Sequence, residues 1–184
     1  MEQLVSLFEP AGISKKALQQ WRPWYVSLMV VTVAAQKAGF KPQYGVESTL
    51  LNHATQAGKQ IEGLETLREQ LELFAHLEEG EAVYFLEDAL QEQDMMGELF
   101  GKLKDSWLEQ DFAALENLLL ESKQENPSFY QDVYVKRNNR WVSDIEQLLE
   151  EQSTYFVAVG SAHLVGEESL ITLLRERGYE VERR

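Results

Sequence analysis

The sequence predicts a helix-rich α/β fold: a small sheet flanked by helices, with an acidic helical subdomain inserted between strands. Three observations point there. The apolar, β-prone run Tyr155–Val159 stops at Gly160 and delivers His163 three residues later, the way open α/β sheets present reactive groups at a strand's carboxyl end. Shorter extended-looking stretches at Tyr44–Glu47, Gln60–Leu64 and Tyr179–Val181 alternate with helical patterns. Between them, residues 78–150 carry an almost unbroken helical period rich in acid.

Taken in order, Ser14 caps a short helix running to Trp21. Pro23, tolerated in a first turn, opens a largely apolar helix to Lys37, and Gly39 supplies its stop. Pro42 makes the next stretch extended, and Ser48 is the N-cap of a helix with Leu50, Leu51, Ala54 and Ala57 on one face, ended by Gly58. Gln60–Leu64 reads as a strand. Thr66-Leu67-Arg68-Glu69 is a capping box, and Leu67, Leu71 and Phe74 form the expected buried stripe of its helix. From Glu81 to Leu120 the pattern is helical, with breaks near Gln91–Asp94 and Gln110–Asp111. Asn126-Pro127 is a cap followed by an N1 proline. Phe129, Tyr130, Val133 and Tyr134, then Trp141, Ile145, Leu148 and Leu149, form its inward face. After the strand at 155–159, a last helix runs from about Glu167 to Arg177, stopped by Gly178 before a terminal strand at 179–181. The whole, 1–184, reads as one domain with 78–150 as a helical insert.

Composition narrows the function. The 184 residues hold 31 acidic against 17 basic side chains, a net charge of −14 that repels phosphate backbones and argues against nucleic-acid binding. With no cysteine, thiolate zinc sites and cysteine nucleophiles are excluded. The first residues lack the basic and apolar regions of a signal peptide. The most apolar window, Tyr25–Ala35, is well short of the ~20 residues that cross a bilayer, so no membrane span is expected. Gly-rich phosphate loops, His-Glu-x-x-His helices and the Gly-x-Ser-x-Gly elbow are missing.

Glu47, Glu65 and His163 each end one of the expected strands, so parallel neighbouring strands would bring them to one sheet edge. Carboxylates and an imidazole around one point suit a divalent metal, or acid and base in a hydrolysis. The alternatives are plain. Glu47 and Glu65 precede Ser48 and Thr66, so each equally serves a helix N-terminus, and His163 equally serves as a hydrogen-bonded core histidine. Arg137-Asn138 is a further polar pair. The guanidinium either snorkels and pairs with an acid or recognises a carboxylate. His53 and His76 have no ligand-spaced partners.

The ordered set Gly45-Val46-Glu47, Gly63-Leu64-Glu65-Thr66, Arg137-Asn138, Val159-Gly160-Ser161-Ala162-His163 and Gly178-Tyr179 resembles the TraB/GumN family, which includes TIKI-type metalloproteases. The resemblance implies a divalent-metal hydrolase fold, distantly similar to erythromycin-esterase-like and ChaN-like proteins, with manganese or cobalt as the metal and a peptide or protein as substrate. By likeness, Glu47, Glu65 and His163 are the metal set, and Glu47, Arg137, Asn138 and His163 the catalytic set. The family normally opens with a strand bearing a first Gly-x-x-His, often after an export signal. The 184 residues resemble the carboxyl-terminal two-thirds of such a protein. A sheet short of one strand is expected to self-associate, and a non-catalytic remnant or interaction module is the alternative function.

Overall fold

The computed structural model describes residues 1–183. Among them there is no strand and no sheet: the chain is all-α and 70% helical. The α/β expectation is therefore corrected. Eleven α-helices follow one another among the described residues: α1 (Glu2–Phe8), α2 (Lys15–Leu18), α3 (Pro23–Lys37), α4 (Val46–Gln56), α5 (Leu67–Ala75), α6 (Glu79–Glu92), α7 (Met96–Leu108), α8 (Phe112–Glu125), α9 (Pro127–Tyr130), α10 (Lys136–Glu150) and α11 (Leu170–Glu176). The chain divides into two compact units, Met1–Lys102 and Leu103–Arg184, a boundary that falls inside the 78–150 stretch.

The strand expectations fail for a physical reason. A strand exists only by exchanging hydrogen bonds with a lateral partner, and an isolated β-prone segment gains nothing from its propensity. Tyr155–Val159 has no such ladder, and Phe156 remains 80% exposed. The segments 60–64 and 179–181 likewise carry no strand, and Pro42–Tyr44 is a single 3₁₀ turn. By contrast, Val30-Val31-Thr32-Val33 is as β-branched as 155–159 yet lies in the middle of α3. There, burial of Val26, Val30 and Ala34 overrides propensity.

Most local helix signals hold, but Ser48 lies inside α4, whose N-cap is Gly45, and its hydroxyl donates to the Pro42 carbonyl instead. Ser14 Oγ accepts from Ala17 N at 3.3 Å, and Thr66 and Glu69 form the reciprocal capping box of α5. Asn126 Oδ1 accepts from Phe129 N at 3.0 Å. The breaks in the long helical stretch fall at 93–95 and 109–111, the latter turning on Gln110 at φ 58°.

Unit 1 is built on Leu4, Leu7, Phe8, Leu18, Val26, Val30 and Ala89. α3 lies along α6, where Ser27 Oγ donates to the Phe85 carbonyl at 3.2 Å. Trp24 stacks on Phe74, with ring centroids 6.3 Å apart. The stripe expected on α5 is otherwise not buried: Leu67 is 70% exposed and Leu71 is also exposed.

Unit 2 is built on Leu115, Leu119, Tyr130 and Val165, with Leu103, Tyr134, Val135 and Ala162 packed against them. Between α9 and α10 the chain passes through one π-helical turn, Gln131–Val135, a widening often found beside functional side chains. α10 buries Asn138, Trp141, Val142 and Ile145 and packs on α11, where Arg177 pairs with Glu146. A 3₁₀ turn, Ser161–Leu164, follows the extended run. It leads through Gly166 (φ 88°) to α11, whose N-cap Ser169 accepts from Thr172 N at 3.2 Å.

Candidate functional site

Three of the expected site residues meet in unit 2. α10 carries Arg137 and Asn138 on adjacent positions just after the π turn, and the Ser161–Leu164 turn turns His163 inward. Asn138 and His163 are both buried, at 2% and 6% exposure. His163 Nδ1 lies 2.6 Å from Asn138 Oδ1, and its Nε2 lies 3.4 Å from Arg137 Nη1. The imidazole packs against two tilted aromatic rings, 4.7 Å from Trp141 and 5.3 Å from Tyr134. Arg137 lies over the Trp141 ring at 4.5 Å and donates to the Val133 carbonyl at 2.9 Å. The half-buried guanidinium is thus fixed by its flat face and one edge.

Burial gives these contacts weight. In a dry site a hydrogen bond is stronger than at the surface, and an unmatched polar group costs more. Trp141 Nε1 is itself buried without a hydrogen-bond partner, so the site holds an unmatched donor next to the imidazole. Burial pushes the Tyr134 phenol above its ordinary range, with the nearby Arg137 charge opposing it.

Behind Asn138 stands a group that the sequence does not advertise. Asn138 Nδ2 donates to the Glu168 backbone carbonyl at 2.7 Å. The Glu168 carboxylate accepts from Lys123 Nζ at 2.5 Å and from Tyr130 Oη at 3.1 Å. Burial works against the charge on Glu168, but the hydrogen bonds from Lys123 and Tyr130 prevail and hold its carboxyl below the usual range. Burial, then the bond to Glu168, pushes the Tyr130 phenol up to about 12. Lys123 is 45 positions away from Glu168 in the chain, so no local motif announces the pair.

Glu47 and Glu65 belong to unit 1. Glu47 does not end a strand: it sits exposed in the first turn of α4, after the N-cap Gly45. Glu65 is partly buried immediately before Thr66, the N-cap of α5. The common sheet edge that was to gather them does not exist among the described residues. Nor do any three His, Cys, Asp or Glu side chains among the described residues form a group able to hold a metal ion. In unit 2 the imidazole has a guanidinium and an amide within hydrogen-bond reach, and a cation at 3.4 Å from Nε2 is a poor neighbour for a second cation. As arranged, these residues do not fit a metal cage. His53 and His76 are exposed, and His76 Nδ1 pairs with the Glu72 carbonyl of its own helix.

No helix among the described residues is long and apolar enough to cross a membrane.

Comparison with known proteins gives this chain relatives. The uncharacterized protein YbaP of Escherichia coli (strain K12) is 25% identical over 175 residues, covering 95% of this chain and 64% of that protein. The chain thus spans just under two-thirds of that relative's length. Metalloprotease TIKI2 of Danio rerio is 23% identical over 190 residues, covering 88% of this chain and 36% of the relative. Metalloprotease TIKI1 of the same species is 43% identical over a shorter stretch of 56 residues, 29% of this chain and 11% of the relative. No solved structure matches the chain at a significant level. The model of the TraB/PrgY/gumN family matches residues 1–183, and the chain accordingly belongs to that family.

Proposed function

We propose that the chain is a hydrolase domain acting on peptide bonds, with His163 and Arg137 as the groups that meet the substrate. The observation that carries this reading is the buried His163 imidazole, held on Nδ1 by Asn138 and facing the Arg137 guanidinium through Nε2. Similarity to relatives named metalloproteases supports the reaction class.

The chemistry open to this arrangement follows from its groups. With Nδ1 engaged by Asn138, Nε2 is the nitrogen left to take a proton from an attacking water, once its long 3.4 Å contact with Arg137 Nη1 gives way to that water. Arg137, always charged and already fixed by Trp141 and Val133, can hold a substrate carboxylate or the oxyanion that develops as water adds to the carbonyl. The tilted rings of Tyr134 and Trp141 keep the imidazole from rotating and exclude water from its faces.

A divalent metal belongs to the proposal through the relatives named metalloproteases, with manganese or cobalt the ions the family likeness suggests; Glu47 and Glu65 in unit 1 and His163 in unit 2 supply no ligand set among the described residues. The reading is tested by incubating the chain with a mixed peptide pool and following new termini by mass spectrometry, with Mn²⁺, with Co²⁺ and with chelator. Cleavage that needs either ion supports the whole proposal. Cleavage indifferent to chelator supports hydrolysis and removes the metal, and no cleavage in any arm overturns it.

A non-catalytic interaction module is the second reading. It is favoured by the exposed apolar run Tyr155, Phe156 and Val157, which no strand partner covers among the described residues. Self-association through that run accompanies either function.

A further inference from the structure

We infer that Lys123, Tyr130 and Glu168 are positioning residues that fix His163, through Asn138, as the tautomer protonated on Nδ1. Its use in catalysis rests on the hydrolase reading of His163; the tautomer itself does not.

Two contacts on opposite sides of the ring agree. Arginine has no acceptor, so the 3.4 Å approach of Arg137 Nη1 requires Nε2 to be the acceptor, which leaves the ring proton on Nδ1. The carboxamide of Asn138 can lie either way round, but Nδ2 is committed to the Glu168 carbonyl at 2.7 Å, and a carbonyl takes only a donor. That commitment turns Oδ1 toward the ring at 2.6 Å, where an acceptor demands a proton on Nδ1. The two ring nitrogens of a histidine are distinct, and the hydrogen bonds each makes decide which carries the proton.

The carbonyl that orients Asn138 is fixed in its turn. The Glu168 side chain is held from α8 by Lys123 and from α9 by Tyr130. Its neighbour Ser169 caps α11, while Thr172 Oγ1 donates to the Gly166 carbonyl at 3.1 Å. The peptide 166–169 is therefore anchored at each end, and Glu168 is the point where two further helices grip it. Loss of that grip frees the carbonyl, then the amide, then the ring. None of the three residues need touch a substrate to matter.

The test is nitrogen NMR of the ¹⁵N-histidine-labelled chain at about pH 8, where imidazoles are neutral. The His163 signals are identified by their loss in His163→Gln. The wild type is expected to show a pyrrole-like Nδ1 and a pyridine-like Nε2 for His163. Glu168→Ala is expected to move both signals toward the average of the two tautomers, and Tyr130→Phe to move them less in the same direction. Lys123→Arg, which keeps the charge, is expected to leave them in place. A wild-type His163 protonated on Nε2, or signals unmoved in Glu168→Ala, overturns the inference. Peptide cleavage failing while the signals behave as stated overturns the hydrolase reading alone.

Discussion

The bond between Asn138 and His163 joins two buried side chains across unit 2, and its energy can be isolated. Asn138→Ala removes both bonds of the amide and strands the imidazole Nδ1–H and the Glu168 carbonyl. At about 1–3 kcal/mol for each buried group left unmatched, the expected destabilisation is roughly 2–6 kcal/mol. His163→Phe keeps a flat ring against Trp141 and Tyr134, strands the buried Asn138 oxygen for roughly 1–3 kcal/mol, and removes the long contact of half-buried Arg137 with Nε2. In the double variant neither end of the bond remains, so its cost falls short of the sum by about 1–2 kcal/mol. Urea unfolding followed by tryptophan fluorescence and far-ultraviolet circular dichroism gives the four free energies, read as midpoint shifts at constant slope. Additivity to within about 0.5 kcal/mol would refute the claim that these two residues act as one unit.

Further outcomes follow from the same contacts. The Glu168 carboxyl lies below its ordinary range in the folded chain, so its stabilising effect is complete above about pH 4.3 and is lost as the pH falls through the lower folded value. The melting-temperature gap between the wild type and Glu168→Gln should therefore narrow from about pH 5 downward; a gap independent of pH would contradict the brace. Removing the Asn126 cap with Asn126→Ala should cost about 1 kcal/mol in urea unfolding, because Phe129 N loses its acceptor at the start of α9. Phe156→Lys should reduce concentration-dependent association in sedimentation or light scattering, since it puts a charge on a side chain that is 80% exposed. Equal association of variant and wild type would exclude this run as the contact.

What was legible in the sequence was local. Capping at Ser14, Thr66 and Asn126 is written in short-range patterns, because a cap needs only a side chain and an amide three residues on. The helix breaks at 93–95 and 109–111 were equally readable. The sheet was misread because β-propensity reports that a segment suits a ladder, not that a partner is present. Tyr155–Val159 satisfies the first condition without the second, while the β-branched centre of α3 is helical through burial alone.

The site shows the same division. Arg137, Asn138 and His163 were singled out from the order of motifs, and they do meet. The placement of Glu47 and Glu65 at strand ends fell with the sheet: one lies in the first turn of α4, the other before the cap of α5. Glu168, Lys123 and Tyr130 were missed. The Gly166-Glu167-Glu168-Ser169 run signals only a helix start, and the bond that matters is made by a backbone carbonyl, which no side-chain pattern encodes. Trp141 and Tyr134 read as ordinary core aromatics, and their contact with the imidazole required the fold.

The role proposed for His163 is that of the reacting base in peptide hydrolysis. Its most direct test is the rate of peptide cleavage by His163→Gln relative to the wild type under identical metal conditions. Loss of a general base is expected to lower that rate by about 10²- to 10⁴-fold while peptide binding persists. Equal rates in the two proteins, or none in either, would contradict the account.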